Sequence, residues 1–137
     1  DPALQLALRD HLLESLPQTT ASYASYGFPI AEAFVPDGWL SEGGKLKVGA
    51  YEFDVLHIPG HTPGHVVFYC AAEKLLIAGD VLFYESIGRT DFPRGNHADL
   101  ISNITGKLLV LPEDTRVIPG HGRMTTIGHE KRHNPFL

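Results

Sequence analysis

Apolar residues recur every four positions at the start of the chain. Leu4, Leu8, Leu12 and Leu16, with Ala7 and Leu13 beside them, form one stripe, the spacing of a helix with one buried face. Asp1 suits an N-cap and Pro2 the first helical position, and Pro17 ends the pattern. Residues 18–44 lose all periodicity. They are rich in Ser, Thr, Pro and Gly, with Tyr23, Tyr26, Phe28, Phe34 and Trp39 scattered among them. This predicts a long loop that is either functional or wrapped around another part of the protein.

The pattern then shortens to strand length. Leu46 to Val48, a Gly49-Ala50 turn and Tyr51 to Ile58 predict a hairpin. Tyr51, Phe53 and Val55 alternate with Glu52 and Asp54, so one face of the second strand should be buried. Val66 to Cys70 and Leu75 to Ala78 are short continuous apolar runs, as in strands covered on both faces. A helix is predicted from about His97 to Leu109 with Asn96 as its cap, then a strand over Arg116 to Ile118. A last short helix in IGHEKRHNPFL is stopped by Asn134-Pro135. The order predicts a mixed α/β layered domain, neither a bundle nor a barrel.

Composition narrows the function classes. The 137 residues are 43% hydrophobic and 20% charged, ordinary for one globular domain. The net charge of −5 is spread without acidic or basic blocks, which argues against nucleic acid or a membrane surface as partner. The longest apolar run, Val66 to Ala72, is far too short to span a bilayer. Cys70 is the only cysteine, so no intrachain disulfide can form and a reducing, cytoplasmic setting is expected.

Histidine is the compositional oddity, eight in all. Three potential metal ligands share one local logic. His61 follows Ile58-Pro59-Gly60, Asp80 follows the run LLIAG, and His121 follows Val117-Ile118-Pro119-Gly120. Each stands just past a predicted strand and a glycine. A strand is a rigid support, and glycine lets the chain turn so that the side chain leaves the sheet edge. Taken singly, a strand-end Asp is more often a turn former and a His after Pro-Gly a loop residue. The repetition of Pro-Gly-His beside a strand-Gly-Asp makes convergence on one point the better reading.

Four segments, HIPGHTPGH at 57–65, AGDVLF at 78–83, GRTDFPRG at 88–95 and IPGHG at 118–122, resemble the downstream motifs of the metallo-β-lactamase superfamily. The short bacterial, glyoxalase II-like branch is the nearest in pattern, and the ending HEKRHNPFL is similar to it as well. The resemblance implies the C-terminal portion of an αββα sandwich with a mixed sheet. It also implies two divalent metal ions, zinc foremost, with iron or manganese open. His61 matches a ligand of the first metal, Asp80 the carboxylate that bridges both and serves catalysis, and His121 a ligand of the second. His65 and His57 match non-ligand positions beside the site. His11, His97, His129 and His133 have no matching ligand motif and read as surface or structural. Arg89 and Arg94 are candidate binders of an anionic substrate, although for Arg89 pairing with Asp91 to hold the loop shape is the preferred reading. Phe83 and Tyr84 are read as core residues ahead of pocket residues.

One departure matters. The family's His-x-His-x-Asp-His motif, which supplies further ligands, is absent from these 137 residues. They are therefore expected to be one partial domain, the C-terminal part of a catalytic unit. The missing N-terminal half is its expected partner, and the chain alone is expected to be inactive. The activity implied for the complete protein is hydrolysis of a small anionic thioester such as S-lactoylglutathione by a metal-bound hydroxide. Two alternatives stand beside it. One is a single-iron persulfide dioxygenase, although that branch is expected to alter the last Pro-Gly-His motif. The other is an inactive fragment or pairing module.

Overall fold

The computed structural model describes Gly27 and residues 37–137. The opening helix and most of the predicted loop lie outside these residues. The chain falls into two units, Asp1–Trp39 and Leu40–Leu137, and the second carries everything that follows.

Its centre is a six-stranded sheet. Strands β1 (Lys45–Val48) and β2 (Tyr51–His57) form the predicted hairpin. They are followed by β3 (Val66–Cys70), β4 (Leu75–Gly79), β7 (Arg116–Pro119) and β8 (Thr125–Thr126), in the order β1-β2-β3-β4-β7-β8. All neighbours are antiparallel except β4 and β7, which are parallel. The sheet is mixed, as expected. A parallel pair needs a crossover, and the chain between them supplies it with helix α1 (His97–Asn103) and a π-helical turn (Ile104–Leu108). Asn96 caps α1 by accepting the Asp99 N–H at 3.0 Å. Helix α2 (Ile127–His133) closes the chain, with the Thr126 hydroxyl accepting the His129 N–H at 3.2 Å.

The core forms where the crossover lies on the sheet. Leu100, Ile104 and Leu108, four residues apart, join Ile127 over Val67, Leu76, Ala78 and Val117, all fully buried. Each such side chain contributes roughly 1.5–3 kcal/mol relative to exposure. The apolar period predicted this face.

Three expectations need correction. Tyr51 is 52% exposed although Phe53 and Val55 are buried, because it pairs with Val48 at the hairpin tip, beyond the core. The second sheet face is covered only in part: Val55, Phe68 and Ile77 are in register across it, yet Ile77 is 39% exposed. The single helix predicted over 97–109 changes to π geometry at Ile104. The periodicity also missed a small ribbon, β5 (Leu82–Phe83) with β6 (Ser86–Ile87), since two-residue strands carry no readable period. Among the described residues no helix is long and apolar enough to cross a membrane.

Candidate metal centre

The topology brings the three predicted ligands to one edge. Strand β2 is antiparallel to β3, and β3 to β4, so β2, β4 and β7 all run the same way. Their C-terminal ends share an edge. Asp80 leaves β4 there and His121 leaves β7, with Gly79 paired to Pro119 just before them. The loop after β2 carries His61. Gly60 takes a φ of +135° and Gly79 a φ of +50°, conformations that L side chains adopt rarely. Gly120 serves differently: a Cβ there would stand 2.4 Å from Asp80 Oδ1.

Asp80 faces both imidazoles. Its Oδ1 is 3.2 Å from His121 Nδ1, and its Oδ2 is 3.9 Å from His61 Nε2. The His61 ring is fixed from behind, with Nδ1 2.8 Å from the Arg89 carbonyl oxygen. A carbonyl only accepts, so Nδ1 donates this bond, and Nε2 is the ring nitrogen turned toward Asp80. Phe92 packs edge-on to His61 at 5.3 Å, and Phe83 lies against His121 at 4.6 Å.

His65 and His57 stand outside this group. The His65 ring approaches Gly79, where a Cβ would meet Nε2 at 2.6 Å. Burial, and then the neighbouring His61, push its pKa below the usual imidazole value. His57 Nε2 donates to the Pro63 carbonyl at 2.7 Å and so closes the loop that holds His61.

The surrounding cleft has a volume of about 680 Å³. Its walls include Phe83, Tyr84, Ile87, Phe92, Arg89 and Arg123 beside the three candidate ligands. Phe83 and Tyr84 thus face the cleft and not the core, because the ribbon β5–β6 turns them over the sheet edge. The guanidinium of Arg89 is engaged by Asp91 through contacts of 2.6 and 2.7 Å, and Arg94 is not part of the lining. Arg123 was not foreseen. The only signal for it was its place two residues past His121.

The donors suit a hard or borderline divalent cation. Donors about 2.1 Å from a tetrahedral zinc lie roughly 3.4 Å apart, close to the 3.2 Å between Asp80 and His121 and shorter than the 3.9 Å between Asp80 and His61. The number falls short, however. Asp80 makes two pairs and not one triad, and no group of three or more His, Cys, Asp or Glu among the described residues is arranged to hold a metal. Two donors per cation are one fewer than the three protein ligands usual at a catalytic zinc.

Comparison with known proteins supplies the family. Residues 5–121 match the Metallo-beta-lactamase superfamily. The chain belongs to that superfamily. Hydroxyacylglutathione hydrolase GloC of Haemophilus influenzae is 51% identical over 127 residues, covering 92% of this chain and 58% of the relative. Among solved structures, BLEG-1 B3 metallo-beta-lactamase superposes with a TM-score of 0.76 at 47% identity, over 85% of this chain and 56% of that one. TTHA1623 in a di-iron-bound form gives 0.78 at 40% identity, over 91% and 61%. The chain spans about half the length of the curated relatives it matches. The shared α/β architecture and mixed sheet are those expected of the metallo-beta-lactamase fold.

Proposed function

We propose that this chain is the C-terminal part of a metal-dependent hydrolase acting on glutathione-type thioesters. The observation that carries the reading is the position of Asp80, whose two carboxylate oxygens face His121 and His61 at 3.2 and 3.9 Å within one cleft. Its likeness to a hydroxyacylglutathione hydrolase at 51% identity supports the choice of substrate class. The remaining donors come from an N-terminal half of the same domain, which completes each cation's set to the usual number.

In this reading His61 and Asp80 would hold one cation, and Asp80 and His121 the other. Zinc is the first choice, and the di-iron relative keeps iron beside it. Divalent cations bound there supply Lewis-acid activation of water and of the acyl carbonyl. The chain's own residues do the rest. The Arg89 carbonyl holds the His61 tautomer. The Phe92 ring packs edge-on to the His61 imidazole, which is largely buried, and the Phe83 ring lies against the exposed imidazole of His121. The leaving thiolate needs no strong acid from the protein, because thiols ionise near pH 8.5, and none need be sought in the cleft.

The test uses the full-length protein loaded with metal and assayed with S-lactoylglutathione. Turnover that Asp80→Ala abolishes, together with loss of bound metal on elemental analysis, is the expected result. Absence of turnover, or turnover indifferent to Asp80→Ala, would overturn the reading.

A further inference from the structure

Two cationic side chains line the cleft, and they differ in what occupies them. Arg89 is neutralised by Asp91, and its guanidinium also lies over Phe92 at 4.4 Å. Arg123 makes no carboxylate pair among the described residues. Its guanidinium carbon sits 3.3 Å above the centre of the Tyr84 ring. A guanidinium held over an aromatic face is fixed in position by it, while its N–H donors radiate from its own edge. That edge is the form in which arginine reads a carboxylate by two parallel hydrogen bonds.

The platform beneath it is built in advance. Tyr84 stacks on His129 with ring centres 4.8 Å apart and planes 21° from parallel. His129 is held by Glu85, with Nε2 2.9 Å from Oε1. This bond to His129 engages the Glu85 carboxylate. The Glu85 N–H donates to the fully buried Glu130 at 2.9 Å. Turn, ring and helix α2 thus hold Tyr84 in place before any substrate arrives, which lowers the ordering cost of binding.

We propose that Arg123 is the specificity-determining residue of the cleft, receiving a carboxylate on the thiol portion of the substrate. The inference rests on the thioester-hydrolase reading and adds to it the residue that selects for charge. Thioesters whose thiol carries a carboxylate, as glutathione does, are favoured over those of uncharged thiols.

The experiment compares S-lactoylglutathione with the lactoyl thioester of N-acetylcysteamine, an uncharged thiol, in the metal-loaded full-length protein. Arg123→Ala should lower the preference ratio in kcat/KM by about 10-fold or more, mainly through KM, as expected for loss of a charge-assisted pair. Arg123→Lys should restore part of that ratio, and Arg123→Glu should depress it further. An unchanged ratio in Arg123→Ala overturns the proposal. Calorimetric binding of S-methylglutathione and of its diethyl ester gives a second readout without turnover. Arg123→Ala should weaken the acid and bring it level with the ester, and equal weakening of both overturns the proposal. If Arg123-dependent binding of the acid persists where no thioester is hydrolysed, the hydrolase reading falls and the carboxylate site stands.

Discussion

His61 and Arg89 are joined through the main chain and not through charge. The imidazole Nδ1 meets the Arg89 carbonyl at 2.8 Å, while the guanidinium of the same residue turns to Asp91. A loop 28 residues downstream therefore sets the tautomer of a candidate ligand, and the Arg89–Asp91 pair holds the shape of that loop.

The pair makes a titration prediction. The Arg89 guanidinium holds the Asp91 carboxyl at about 2, below its ordinary 3.8. A depressed carboxylate pKa means that the unfolded chain binds the proton more readily. The pair's support for the fold is therefore complete above pH 3.8 and disappears as the pH falls through about 2. Carboxyl-detected NMR should place the Asp91 midpoint near 2, and in Arg89→Ala it should return toward 3.8.

Glu130 should be a stability determinant. It is fully buried and accepts from the Thr125 hydroxyl at 2.5 Å, the Asn134 amide at 2.8 Å and the Glu85 N–H at 2.9 Å. Removing the carboxylate leaves three donors without an acceptor. Glu130→Ala should cost about 3 kcal/mol or more and lower Tm by several degrees in thermal denaturation of the full-length protein. Glu130→Gln should fall between the two, because one oxygen becomes a donor facing donors.

Two glycines should separate folding from metal binding. A Cβ at Gly60 would meet the Cβ and backbone of Leu100 at 2.4–2.7 Å, in a conformation already strained for L residues. Gly60→Ala should lower Tm sharply. A Cβ at Gly120 would press first on Asp80 Oδ1 at 2.4 Å, a side-chain atom that can swing away, and would stand 3.2 Å from the Gly79 backbone, a milder contact than any at Gly60. Gly120→Ala should retain most of its Tm and lose bound metal, read as the metal-to-protein ratio after dialysis. A Tm loss in Gly120→Ala as large as in Gly60→Ala would contradict this division.

Much of the architecture was legible along the chain. The strands of residues 45–79, the Asn96 cap and the final helix follow from local period and capping chemistry, which depend on neighbours a few residues apart. The three candidate ligands were legible for the same reason, each standing behind a strand and a glycine. Other features were hidden. The π turn at Ile104–Leu108, the exposure of Tyr51 and the turning of Phe83 and Tyr84 toward the cleft depend on what packs from elsewhere in the chain.

The sequence by itself therefore determined which residues could serve the site: the donors, the rigid strands under them and the turns that release them. Only the tertiary structure decided which groups face one another. The common direction of β2, β4 and β7 gathers residues 61, 80 and 121 at one edge. The pairing of Arg89 with Asp91, two residues away, was already legible in the sequence; the seating of Arg123 over Tyr84, with no carboxylate partner among the described residues, was not, because residues 39 positions apart meet only through the fold.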